Sequence, residues 1–178
     1  ARDYVLNHKL TPMCLVHPAV ESMFSDLGQG KPNCVVLGDA GEELCYARLD
    51  PLFQLCSSGA PLIAIGKNKY FKTESGLHLD AGAFVHGLEW AANCQAIVMG
   101  KPGEAFYRQV LASTGFDASE CLMIGDDVEA DANASTQVGL NACLVKTGKF
   151  TQDDLEILLP DIHVIDSIST LFEQIPTL

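Results

Sequence analysis

The sequence predicts an α/β fold on a parallel sheet, and three observations carry that prediction. Short apolar runs recur along the chain, at residues 34–38, 61–66, 96–100, 121–125 and 141–147. They are apolar at nearly every position instead of alternating, which is the pattern of strands buried on both faces. Helical patterns separate them from end to end, and that alternation covers both faces of a sheet with helices.

Taken in order, residues 1–8 read as a helix. Residues 13–17 read as a short strand, and 18–26 as a helix with Pro18 at its start, where a missing N–H costs nothing. Residues 28–33 are a loop rich in Gly and Pro. After the strand 34–38, residues 50–56 are helical, and Ser57-Ser58-Gly59 ends them. The strand 61–66 leads into a polar stretch, 68–80, that suits a loop or a hairpin. Residues 81–92 are a helix. Beyond Asn93 the units shorten and become regular: strand 96–100, helix 102–113, strand 121–125, helix 129–138, strand 141–147, helix 153–158, strand 163–165 and helix 168–174. The change of rhythm puts a domain boundary near residues 93–96, with one α/β domain over 1–95 and a second over 96–178.

The 178 residues are 48% hydrophobic and 19% charged, a globular composition. No apolar run approaches the roughly 20 residues that span a bilayer. The start, Ala1-Arg2-Asp3-Tyr4-Val5-Leu6, does not read as a signal peptide. A net charge of −12 argues against a nucleic-acid partner, whose phosphates call for a cationic surface. The seven cysteines include several inside apolar runs and no C-x-x-C pair. They read as buried thiols in a reducing, cytoplasmic setting rather than as zinc ligands.

The sharpest motif is Leu122-Met123-Ile124-Gly125-Asp126-Asp127-Val128-Glu129-Ala130-Asp131. An apolar strand ends in Gly and two carboxylates follow, with a third one helical turn later. Ligands of open parallel sheets bind beyond the carboxyl ends of the strands, and two or three oxygens there suit Mg²⁺. An acidic helix start explains the same residues by capping and dipole alone, so both readings stand. Val98-Met99-Gly100-Lys101-Pro102 is a second strand end. A lone lysine is by default a surface residue, but one at the same sheet edge as Asp126 can hold a phosphate. Val145-Lys146-Thr147-Gly148-Lys149-Phe150 follows the next strand, and suits either a third wall of that crevice or a plain turn.

Together these motifs resemble the C-terminal half of a haloacid dehalogenase (HAD) superfamily core. Gly100-Lys101-Pro102 matches the lysine motif, and Gly125-Asp126-Asp127 with Asp131 the acidic motif. Thr147-Gly148-Lys149 matches the segment that follows in the NagD-like branch, which carries a large α/β cap. Pro32-Asn33-Cys34-Val35-Val36, Pro61-Leu62-Ile63-Ala64-Ile65-Gly66-Lys67, Tyr70-Phe71-Lys72 and Gly76-Leu77-His78-Leu79-Asp80 match that cap. The resemblance spans nearly the whole chain. It implies a Mg²⁺-dependent phosphatase of a small phosphorylated compound, working through an aspartyl-phosphate. Asp126 would then ligate Mg²⁺, and Asp127 would join it through water or as a neighbour. Asp131 would orient Lys101, and Lys101 would bind phosphate and offset its charge. The resemblance is also compatible with a cap-mediated homodimer.

The family's nucleophile lies in a D-x-D-G motif ahead of the cap, and no D-x-D-G occurs in these 178 residues. Asp39-Ala40-Gly41 and Asp80-Ala81-Gly82 lack the second carboxylate and read as a turn and a helix cap. The expectation is therefore a core without its first strand and, for these residues alone, no turnover. The rival expectations are a non-catalytic relative that binds metal, phosphate or a protein, and a phosphate-receiving regulator, which the cap-like segment disfavours. Asn133-Ala134-Ser135 is formally a glycosylation acceptor, out of place in a cytosolic setting. The histidines show no metal-ligand spacing. A substrate contact for His86 is weaker than the structural or solvated reading.

Overall fold

The computed structural model describes residues 1–28 and 30–174. Gln29, in the loop expected over 28–33, lies outside the described residues. The chain divides into two compact units, Ala1–Tyr70 with Leu77–Gly100, and Phe71–Gly76 with the chain from Lys101 onward.

The first unit contains α1 (Arg2–Asn7), β1 (Pro12–Leu15), α2 (Pro18–Glu21), a 3-10 turn at Ser22–Phe24, β2 (Cys34–Leu37), α3 (Tyr46–Ser57) and β3 (Leu62–Ala64). A two-stranded hairpin follows, β4 (Tyr70–Thr73) and β5 (Gly76–Leu79), of which Phe71–Gly76 is counted with the second unit, and α4 (Ala81–Ala92) and β6 (Ile97–Val98) complete the first. Four strands form a parallel sheet in the order β1-β2-β3-β6. Alternation sends Val35, Leu37, Leu62 and Ala64 to a face packed by Leu52 and Cys56 of α3 and by Val85 and Leu88 of α4. Cys34, Val36 and Ile63 point the other way, against Val5 of α1 and Phe24. Burial on both faces is why these strands are apolar throughout. The Asp80 carboxylate caps α4 by accepting from Ala81 N–H at 2.6 Å, and Asp39 closes a turn by accepting from Gly41 N–H at 2.9 Å. Both are thus local structure.

The second unit contains α5 (Glu104–Thr114), a 3-10 turn at Ala118–Glu120, β7 (Leu122–Gly125), a π-helical turn at Val128–Asn133, α6 (Ala134–Gln137) and β8 (Asn141–Val145). It continues with α7 (Asp154–Ile157), β9 (His163–Ile165), a 3-10 turn at Ile168–Thr170 and α8 (Leu171–Gln174). Its parallel sheet runs β7-β8-β9. Cys143 and Val145 of β8 pack with Ile165 and Leu171 on one face, and Ala142 and Leu144 with Val128 and Ala132 on the other.

Several expectations shift. The helix expected from Pro102 begins at Glu104, after Gly103. The single helix expected over 129–138 is a π-turn running into a short α-helix. The helix expected over 50–56 begins at Tyr46 and carries Pro51 inside it, past the first turn, where its missing N–H removes a ladder bond. The strand before Lys101 was expected in one sheet with the strand before Asp126. Instead β6 pairs with β3, and the first unit runs to Gly100. All seven cysteines are free, and burial pushes the Cys34 thiol up to about 11 and the Cys56 thiol up to about 12. No helix among the described residues is long and apolar enough to cross a membrane.

Candidate functional site

β7 and β8 are parallel, with Gly125 opposite Leu144, so the loops that leave them emerge at the same edge of the sheet. Asp126 leaves β7 and Gly148-Lys149 follow β8. There the Lys149 backbone N–H donates to Asp126 Oδ2 at 2.8 Å. The other oxygen of Asp126 receives no hydrogen bond among the described residues. Gly148 turns the chain with φ +58°, and a Cβ built on it would lie 1.8 Å from Asp126 Oδ2. Only glycine suits both the left-handed backbone and that approach.

Asp127 is more heavily engaged. Its Oδ1 accepts from the amides of Glu129 (3.1 Å) and Ala130 (2.9 Å), capping the π-turn. Its Oδ2 pairs with Lys149 Nζ at 2.5 Å. Burial would raise this carboxyl, but the Ala130 amide, the Lys149 ammonium and the Glu129 amide outweigh it and hold it below the usual range. The helix-cap reading of Asp127 thus holds.

Asp131 is buried, 4% exposed. Its Oδ1 meets Lys101 Nζ at 2.7 Å, and its Oδ2 accepts from Asp127 N–H at 3.3 Å. That carboxylate lies so close over β7 that a Cβ on Gly125 would come within 2.1 Å of Oδ2. Lys101 remains half-buried, its side chain 35% exposed. The buried Tyr107 hydroxyl donates to the Ala130 carbonyl. Burial, and then the charges of Asp131 and Asp127, push its phenol well above the ordinary value, so it stays a donor at neutral pH.

The structure thus brings Lys101 onto Asp131, and links Asp126 to Asp127 through Lys149. Lys149 appears in the sequence only within residues 145–150, which suit a third wall of the crevice or a plain turn, and nothing there shows that its amide and ammonium serve two carboxylates. Nothing in the sequence singles out Tyr107 within the helix expected over 102–113, and its acceptor, the Ala130 carbonyl, lies 23 residues further on. His17 Nδ1 caps α2 by accepting from Ala19 N–H at 3.2 Å, and His86 lies 3.5 Å from Glu89. Asn133 is committed at both ends of its amide, donating to the Ile157 carbonyl and accepting from Leu159 N–H, each at 2.9 Å.

Among the described residues no group of three or more His, Cys, Asp or Glu side chains is placed to hold a metal ion. The donor chemistry fits a narrower role. Asp126 and Asp127 offer hard oxygens from adjacent residues. Mg²⁺ takes one or two protein carboxylates and completes its shell with waters and phosphate oxygens.

Residues 98–171 match the HAD-hydrolase-like family model. The phospholysine phosphohistidine inorganic pyrophosphate phosphatase of Rattus norvegicus is 37% identical over 171 residues, covering 95% of this chain and 63% of the relative. The chain is thus similar to HAD-like hydrolases over nearly its whole length. The haloacid dehalogenase-like hydrolase domain-containing protein 2 of Homo sapiens is 40% identical over 160 residues, covering 90% of this chain and 62% of that protein. The chain thus spans less than two thirds of the length of these relatives. In fold it is similar to the p-nitrophenyl phosphatase from Archaeoglobus fulgidus, with a TM-score of 0.81 at 22% identity over 97% of this chain and 70% of that one.

Proposed function

We propose that this chain forms the phosphate- and metal-handling part of a Mg²⁺-dependent HAD-type phosphatase acting on a small phosphorylated compound. The observation that carries this is the Lys101–Asp131 pair at 2.7 Å, in one compact unit with Asp126 and Asp127. Phosphoryl transfer needs placement and charge neutralisation more than covalent machinery, and these residues supply both. Lys101 binds the phosphate and offsets its charge. Asp131 holds the ammonium in place from a buried position. Asp126 would ligate Mg²⁺ directly, because one of its oxygens receives no hydrogen bond among the described residues. Asp127, with both oxygens engaged, acts through water. When bound, Mg²⁺ neutralises phosphate charge and orients the phosphoryl group. In this reading residues 1–95 are the cap that selects substrate, 96–178 are the C-terminal part of the core, and the setting is cytoplasmic.

No D-x-D-G that would supply the aspartyl-phosphate nucleophile occurs in these 178 residues. This chain by itself is therefore expected to bind phosphate without turning it over. The test is calorimetric titration with inorganic phosphate in the presence of Mg²⁺, beside hydrolysis of an aryl phosphate. Wild type binds, and Asp126→Ala and Lys101→Ala each weaken binding at least tenfold. Equal binding by wild type and Asp126→Ala sinks the reading. Aryl phosphate turnover well above a Lys101→Ala control places the nucleophile within the chain. Phosphate or metal binding that needs neither residue favours the alternative, a non-catalytic relative.

A further inference from the structure

Asp131 is carried by a turn that an ordinary helix ladder does not hold. Val128–Asn133 is π-helical. The Asp127 carbonyl accepts from the amides of both Asp131 (2.8 Å) and Ala132 (3.1 Å), and Ala134 N–H reaches back five residues to the Glu129 carbonyl. Such single wide turns inside helices are rare and concentrate at functional sites.

Three side-chain hydroxyls converge on this one. Tyr107 donates to the Ala130 carbonyl. Ser135 lies 2.6 Å from the Asp131 carbonyl and 3.0 Å from that of Ala132. Thr136 lies 3.0 Å from the Ala132 carbonyl. The carbonyls of three successive residues centred on Asp131 are therefore each met by a hydroxyl. Tyr107 is 2% exposed and Ser135 0%, so water does not serve them.

Ser and Thr commonly bond back to a carbonyl three or four residues earlier in their own helix, and those contacts alone say little. Tyr107 differs because it is not local. It comes from α5, the helix that follows Lys101, and bonds the residue next to Asp131. The segment bearing Lys101 and the turn bearing Asp131 are thus joined twice, once by the ion pair and once by the phenol. A core aromatic with no further task would be served as well by phenylalanine.

We infer that Tyr107, supported by Ser135, is a positioning residue: its hydroxyl holds the π-turn in the register that aims the Asp131 carboxylate at Lys101. The geometric claim stands on these contacts, and only the purpose of the pair rests on the phosphatase reading. Tyr107→Phe keeps the ring and removes the donor. The first readout needs no ligand. It is the nitrogen-15 NMR signal of the Lys101 ammonium, assigned by its loss in Lys101→Arg. In wild type the pair protects that ammonium from exchange with water. In Tyr107→Phe the signal broadens severalfold, toward its state in Asp131→Asn, while the circular dichroism spectrum is unchanged. Ser135→Ala moves it in the same direction, and decides the matter if Tyr107→Phe does not fold. The second readout is inorganic phosphate with Mg²⁺, where Tyr107→Phe raises Kd about three- to tenfold, the worth of one hydrogen bond.

An ammonium signal in folded Tyr107→Phe identical to wild type overturns the inference, whatever phosphate does. So does a wild-type ammonium with no protection. A signal that moves as expected in a protein that binds no phosphate upholds the positioning role, and shows that the phosphatase reading has failed instead.

Discussion

At Gly148 the backbone sits at φ +58°, and the Asp126 carboxylate leans over the Cα where a side chain would begin. Alanine there meets two penalties at once. The left-handed backbone costs about 1–2 kcal/mol for an L residue, and the new methyl displaces the carboxylate from the Lys149 amide. Gly148→Ala is therefore expected to lose about that much stability in urea denaturation and also to weaken Mg²⁺-dependent phosphate binding tenfold or more. Gly59 is the control. Its φ is +95°, yet a Cβ built on it has nothing within 4 Å. Gly59→Ala should therefore cost stability without touching phosphate binding. If the two variants bind phosphate alike, the closeness of Gly148 to Asp126 has no functional weight.

At the scale of the element, the turn bearing Asp131 is anchored from outside as well as within. Asn133 spans its end and the segment after α7, donating to the Ile157 carbonyl and accepting from Leu159 N–H. Asn133→Ala removes both contacts, one exposed and one part-buried, and is expected to cost about 0.5–1.5 kcal/mol, read as a lower urea midpoint. An unchanged midpoint would mean that water replaces the amide at no cost. Elements of this kind set what the sequence discloses. Cys34-Val35-Val36-Leu37 is legible because burial on both faces leaves no choice of residue. Asp126, Asp127 and Lys101 stand out because each follows the Gly that ends an apolar strand, but capping or plain exposure accounts for such charges too, and only the resemblance joins them and Asp131 into one site. The π register is not legible: apolar spacing around Val128 and Ala132 is satisfied by four residues per turn or five, and the hydroxyls that settle it are Ser, Thr and a distant Tyr of no distinctive pattern. The sheet membership of β6 is hidden for a related reason, since Ile97 and Val98 fit any parallel neighbour.

Over the whole molecule, each compact unit contains a carboxylate that a lysine holds in its charged form. In the second unit it is Asp127, paired with Lys149. In the first it is Glu89, which meets Lys67 Nζ at 2.7 Å and accepts from Ala96 N–H at 2.9 Å. Burial would raise the Glu89 carboxyl, but Lys67, the Ala96 amide and His86 outweigh it and leave it below the ordinary 4.5. A carboxyl lowered in the folded state binds fewer protons than in the unfolded chain. Its contribution to stability is thus fully present above about 4.5, and is lost as pH falls through the lower folded value. Both units are therefore expected to weaken in the same acid window, with stability level from pH 7 down to about 5 and falling below that. Lys67→Met separates the first unit's share. It removes a partly buried charge-assisted contact, costs about 1–2 kcal/mol at pH 7, and flattens the acid slope as Glu89 returns toward its ordinary value. Urea midpoints of wild type and Lys67→Met from pH 3 to 7 check this. Parallel curves for the two proteins would show that the Lys67–Glu89 contact is not what couples the first unit to pH.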